Sequence, residues 1–134
     1  MVVLAEDELA GVVEHATDMA YGALISNSSK VLLIDPSGET RQFVESLAPS
    51  KLTSTSFKDF SLLHLAEMRP DIVVTPLLTA TFDILDVGAL LTLSGFEGRI
   101  IAITPPLPNL ASVVGEIRDQ LAHIDFRVVI SQPA

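Results

Sequence analysis

Four short runs of this chain are apolar almost without interruption: Val31 to Ile34, Asp71 to Val74 with its leading acid, Ile100 to Thr104, and Arg127 to Ile130. Strands covered by helices on both faces have this continuous pattern, whereas a half-exposed strand alternates. A fifth run, Leu52 to Ser56, alternates an apolar start with Thr and Ser and suits a sheet edge. The predicted strands are therefore 30–35, 52–56, 71–75, 99–104 and 126–131.

Helical spacing fills the intervals. Leu110, Val113, Val114, Ile117 and Leu121 share one face opposite Glu116, Asp119 and Gln120. Ser37 is placed to cap a helix reaching about Leu47, and Asp59 to cap one that stops before Pro70. The segment 83–96 differs, because Ile84, Leu85, Val87, Ala89, Leu90, Leu91 and Leu93 surround nearly the whole helix. Such a helix is either buried by another element or meets a partner, which makes Leu85, Val87, Leu90 and Leu91 interface candidates. Strand alternating with helix implies right-handed βαβ units and a doubly wound α/β sheet of five parallel strands.

Two departures modify this picture. No helix is expected after the fifth strand, which would leave one face of the sheet without a cover. A surplus helix precedes the first strand instead, with Leu9, Val12, Val13 and Ala16 in its apolar stripe and 27–29 as a hinge. The expected organisation is an acidic amphipathic helix and hinge over 1–29, followed by an α/β domain over 30–134. That helix either packs beside the domain or is exchanged between two copies.

Composition narrows the function classes. Of 134 residues 49% are hydrophobic and only 5% aromatic, so the core is aliphatic. The formal charge is −9, and residues 1–29 hold Glu6, Asp7, Glu8, Glu14 and Asp18 without one Lys or Arg. No cluster of basic residues occurs along the sequence, which excludes nucleic-acid binding by phosphate neutralisation. No stretch approaches the apolar length of a membrane helix, and acids stand where a signal peptide carries bases, so a cytoplasmic protein with no membrane partner is expected. Cys is absent, and His15, His64 and His123 fall on separate helical segments with no ligand spacing. No metal, cofactor or catalytic group is expected. The run from Asp35 to Thr40 precedes a helix but lacks the glycine spacing and Lys of a phosphate loop, so Ser37 is taken as a cap.

In a doubly wound sheet, ligands gather at the carboxyl ends of the strands, here Asp35-Pro36, Thr75-Pro76, Thr104 and Gln132. From Arg69 onward, RPDIVVTPLL, TFDILDVGALL and GFEGRIIAIT resemble the third strand, third helix and fourth strand of the receiver domain of bacterial two-component response regulators, and the resemblance extends over 30–133. It implies the flavodoxin-like strand order 2-1-3-4-5. Counting forward from Pro70 and back from Asp83 both put Pro76 where the family has its phosphoacceptor Asp. By the same resemblance, Asp35 matches the first acid of the magnesium pair and Pro36 replaces the second. Thr104 matches the fourth-strand hydroxyl, and Gln132 replaces the Lys. Aspartyl phosphorylation needs a carboxylate nucleophile and a divalent cation, and Pro supplies neither. Pro105, Pro106 and Pro108 further stiffen the loop that would respond. The expectation is a degenerate receiver without phosphorylation chemistry, not an enzyme, which acts in signalling through protein contacts, with a homodimer as the favoured state. The rival is a small ligand-binding or enzymatic domain that uses Asp35, Thr104 and Gln132.

Overall fold

The structure is a computed structural model that describes residues 12–13, 25–27 and 29–130. Its elements run β1 (Val12–Val13), β2 (Lys30–Ile34), α1 (Gly38–Ser46), β3 (Lys51–Thr55), α2 (Leu62–Met68) and β4 (Ile72–Pro76). They continue with α3 (Ile84–Leu93), β5 (Arg99–Thr104), α4 (Leu110–Gln120) and β6 (Asp125–Ile130). All strands are parallel, in the order β1-β6-β5-β4-β2-β3. Without the two-residue β1, the five longer strands follow the flavodoxin-like order 2-1-3-4-5 with four helices: the parallel doubly wound sheet is what the alternating pattern predicts, and the order is the one the resemblance implies.

The apolar runs form the middle of the sheet because each strand residue faces one helical layer or the other. Leu32, Val73, Ile100, Ala102 and Val128 face α2, α3 and α4, while Val31, Leu33, Val74, Ile101 and Val129 lie on the face of α1. The polar β3 occupies one edge and is largely exposed. Right-handed crossovers explain the split: the chain moves one way across the sheet from β2 to β3 and the other way from β3 through β6, so the helices change face.

Local signals set the helix ends. The Ser37 hydroxyl accepts from Thr40 N at 3.1 Å and starts α1. In α2 the cap is Ser61, which accepts from His64 N at 3.3 Å, in place of the expected Asp59. Asp59 instead closes a turn with Ser56, the Ser56 hydroxyl donating to its Oδ2 at 3.1 Å. Asn109 opens α4 without a side-chain cap bond. At the end of α3, Gly95 adopts φ +76, Phe96 N donates to Leu91 O, and Gly95 N donates to Thr92 O. This is the paired bond pattern that ends a helix on glycine. Gly98 has a different task, because a Cβ there would fall on the Asp71 carbonyl oxygen. That carbonyl accepts Arg99 N, and the Asp71 carboxylate accepts Lys30 N at 3.0 Å, so the feet of β2, β4 and β5 meet at Asp71.

Two sequence expectations are corrected. Val12 and Val13 do not continue a helix; they are extended and pair with Val128 and Val129. Two adjacent β-branched residues favour extended backbone, and the outer edge of β6 offers the hydrogen bonds. Leu9 and Ala16 lie outside the described residues, as do the hinge residue Ser28 and any answer on how the preceding segment packs. In α3, Val87 and Leu91 are fully buried and belong to the core. They cannot form a surface, whereas Leu85 and Leu90 are partly buried at its margin. The helix reads as apolar all round because its inner stripe meets the sheet and Gly88 lets Leu121 approach, while Leu93 is left 74% exposed.

Leu91→Ala is therefore expected to lower unfolding free energy by about 2–5 kcal/mol, and Leu93→Ala by less than about 0.5 kcal/mol, in urea titrations. Equal losses would contradict the burial pattern.

Candidate functional site

The carboxyl ends of β2 and β4 flank the point where the direction of winding reverses, and the chain leaves them on opposite faces. A cleft of about 390 Å³ opens there, with Ile34, Asp35, Pro36 and Ser37 on one wall and Val74, Thr75, Pro76 and Ile103 on the other. Of the residues singled out from the sequence, Asp35, Pro36 and Pro76 come together at this cleft. Thr104 is on β5 and follows the alternation of Ile100 and Ala102, so it faces the three-helix layer and is not part of the lining. Gln132 lies outside the described residues.

Asp35, Thr75 and Thr104 already have local work. Asp35 directly follows β2 with φ +43, a left-handed conformation that Asp tolerates better than most residues. Its N–H donates to Thr55 O at 2.9 Å, and its Oδ2 accepts from Phe57 N at 3.1 Å. The carboxylate thereby holds the β3–α2 loop, whose Phe57 ring stacks on Phe82 at 4.4 Å. Thr104 Oγ1 donates to Pro105 O at 2.9 Å, and Thr75 Oγ1 donates to Pro76 O at 3.2 Å. Both threonines are buried. Thr75 lies on the face opposite Pro76, as strand alternation requires.

Pro76 fits this strand end without loss of a ladder bond. Leu77 N donates to Ile103 O at 2.8 Å, so alternate residues face β5 and the Pro76 nitrogen faces β2. The β2–β4 pairing has already ended at Leu33 and Val74. A missing N–H is tolerated at such a position.

A second, shallower depression adjoins Asp35 over the edge strand and brings in Arg41, Ser54, Ser56, Asp59 and His64. Arg41 Nη2 donates to Ser54 Oγ at 3.0 Å. Sequence reasoning did not bring these residues together, because only the pairing of β2 with β3 puts α1 and the start of α2 around one strand end. His64 and His123 are exposed, the latter with Nε2 3.1 Å from Thr92 Oγ1, and His15 is outside the described residues. Among the described residues no group of His, Asp or Glu is arranged to hold a metal ion, and no helix is long and apolar enough to cross a membrane.

At the opposite end of the sheet, arginines that form no cluster along the sequence come together in space. Arg99 Nε and Arg127 Nε reach the two oxygens of Asp125 at 2.9 and 2.7 Å, and Arg118 lines the adjoining surface. Three arginines far apart in sequence converge because β5, β6 and the end of α4 begin or finish at the same edge. Burial pushes the Asp125 carboxyl up, but the hydrogen bonds and charges of Arg127 and Arg99 outweigh it and hold the group below its usual range.

Comparison of the chain with models of known protein families, with curated proteins and with solved structures found no match. What the fold itself defines is the class: a flavodoxin-like doubly wound α/β domain.

Two measurements check the local roles. Asp35→Asn keeps an acceptor for Phe57 N and tolerates φ +43, so it is expected to be nearly neutral, while Asp35→Ala loses about 1–2 kcal/mol in urea unfolding. For Asp125, a depressed folded pKa adds stability in full above the unfolded value of about 3.9 and loses it as pH falls through the folded value. Asp125→Asn should flatten that part of the acid unfolding curve.

Proposed function

We propose that the chain is a receiver-like signalling module that is not phosphorylated and acts through protein contacts, as an adaptor, an oligomerisation unit or a regulatory domain. The observation that carries this reading is Pro76 at the end of β4. By the resemblance, the double count from Pro70 and Asp83 matches it to the family's acceptor carboxylate, the strand order is compatible with that match, and a pyrrolidine ring has no nucleophilic oxygen. Pro36 removes a second oxygen from the same strand ends. The hydrogen bond from Phe57 N commits one oxygen of Asp35 to a loop.

With the strand-end chemistry gone, function moves to the surface. Leu93 is 74% exposed on α3, Leu63 66% on α2 and Leu78 68% on the loop between β4 and α3. Among the described residues, these and Leu62, together with the margins at Leu85 and Leu90, offer apolar surface to a protein partner or to a second copy in a homodimer. They replace Val87 and Leu91 as candidates. The ligand-binding alternative draws on the cleft at Asp35 and Pro76, and its partly apolar lining fits a small molecule better than a phosphoryl group.

Incubation with a small acyl phosphate and magnesium is expected to add no phosphate by intact mass, with amide shifts at Asp35 and Thr104 unchanged by the metal. A phosphate adduct on this chain would overturn the reading. Leu93→Glu is expected to weaken association in light scattering while thermal unfolding stays unchanged, since the side chain is exposed; unchanged mass at all concentrations would remove α3 from the interface.

A further inference from the structure

The apolar surface at Leu63, Leu78 and Leu93 does not account for the loop between β5 and α4, which reads Thr104-Pro105-Pro106-Leu107-Pro108-Asn109. Its backbone is largely dictated by the sequence. Pro105, Pro106 and Pro108 each fix φ at about −65°. A residue before proline is kept out of the helical region, and Thr104, Pro105 and Leu107 are all so placed. Residues 105–107 lie outside any helix, strand or turn. What these limits leave is polyproline II geometry, with about three residues per turn and no internal hydrogen bonds.

Leu107 takes the inner edge of this segment, where it is half-buried and packed against the main core. At the start of the loop Thr104 is buried and donates its Oγ1 proton to Pro105 O at 2.9 Å. Both contacts fasten the segment to the domain. Pro105 and Pro108 are one turn apart on an outer edge and both are exposed, as is Pro106 between them. The Pro106 carbonyl accepts no backbone hydrogen bond from a described residue, so it is an acceptor for a partner. Proline rings held in advance lose little entropy on binding, and grooves lined by aromatic side chains grip them. No Lys or Arg occurs from residue 100 to 117, so the loop offers nothing to a groove that also demands a flanking cation. We propose that this loop is the docking site for a proline-recognition domain with an aromatic-lined, uncharged groove, which holds Pro105 and Pro108 and donates to Pro106 O. The inference rests on the loop alone and stands whether or not the domain is receiver-like.

A recombinant WW domain, whose groove is aromatic-lined, is the probe, titrated into the isotope-labelled full chain and followed by NMR. Saturable amide shifts are expected at Leu107, Asn109 and Leu110, with Leu63, Leu78 and Leu93 unmoved. Pro105→Ala with Pro108→Ala is expected to weaken binding by about tenfold or more. Both rings are exposed, so amide positions outside the loop should match those of the parent chain and show that the variant is folded. An SH3 domain with an acidic pocket for a basic flank is expected to bind more weakly than the WW domain. No shift at millimolar WW domain, or equal binding by the folded double variant, overturns the proposal. Tighter binding to the SH3 domain overturns the uncharged groove, and shifts centred on Leu63, Leu78 or Leu93 overturn the loop as the docking site.

Discussion

The hydrogen-bonded ladder through β2, β4 and β5 is the constraint on which the remainder depends. Parallel strands cannot be joined by tight hairpins, so each pairing requires a crossover over one face, and both faces must be apolar to receive the helices. Val31, Leu33, Ile100 and Ile101 have no exposure for that reason. Once β2 leaves toward β3 and the chain then returns toward β4, handedness puts α1 on one face and α2, α3 and α4 on the other. The strand ends at Asp35 and Pro76 separate where this reversal occurs, and a cleft results from topology before any side chain is considered.

What fills that position is a set of side chains that serve the backbone. Asp35 secures a loop and accommodates a left-handed turn, Thr75 and Thr104 return their hydroxyl protons to neighbouring carbonyls, and Pro76 sits where no ladder bond is required. The same geometry in which a carboxylate would concentrate charge here holds groups that stabilise the fold. The surplus of polarity lies elsewhere, around Asp125 at the foot of the sheet, where two arginines share one acid and a third stands beside them.

The two edges of the sheet are managed differently. β3 is polar, exposed and carries Lys51, features that discourage pairing with another chain. β6 is apolar along most of its length and is covered in part by β1. An apolar edge without such cover would invite association, so the short β1 has an importance out of proportion to its two residues.

Continuous apolar runs made the central strands legible in the sequence, because burial on both faces leaves no alternation, and the polar run at 51–55 announced an edge for the converse reason. Ser37 announced a helix start through chemistry confined to a single turn. The place of Pro76 at a strand end was also legible, since the apolar run before it stops there. Periodicity did not determine what each apolar face would meet. Val87 and Leu91 resemble surface candidates on a helical wheel, and only the packing of α3 on the sheet and against Leu121 makes them core. Val12 and Val13 fit a helical stripe equally well, and the free edge of β6 decided for strand. The convergence of Arg99, Arg118, Arg127 and Asp125 was invisible in the sequence, because residues separated by up to 28 positions become neighbours only when parallel strands begin at one level.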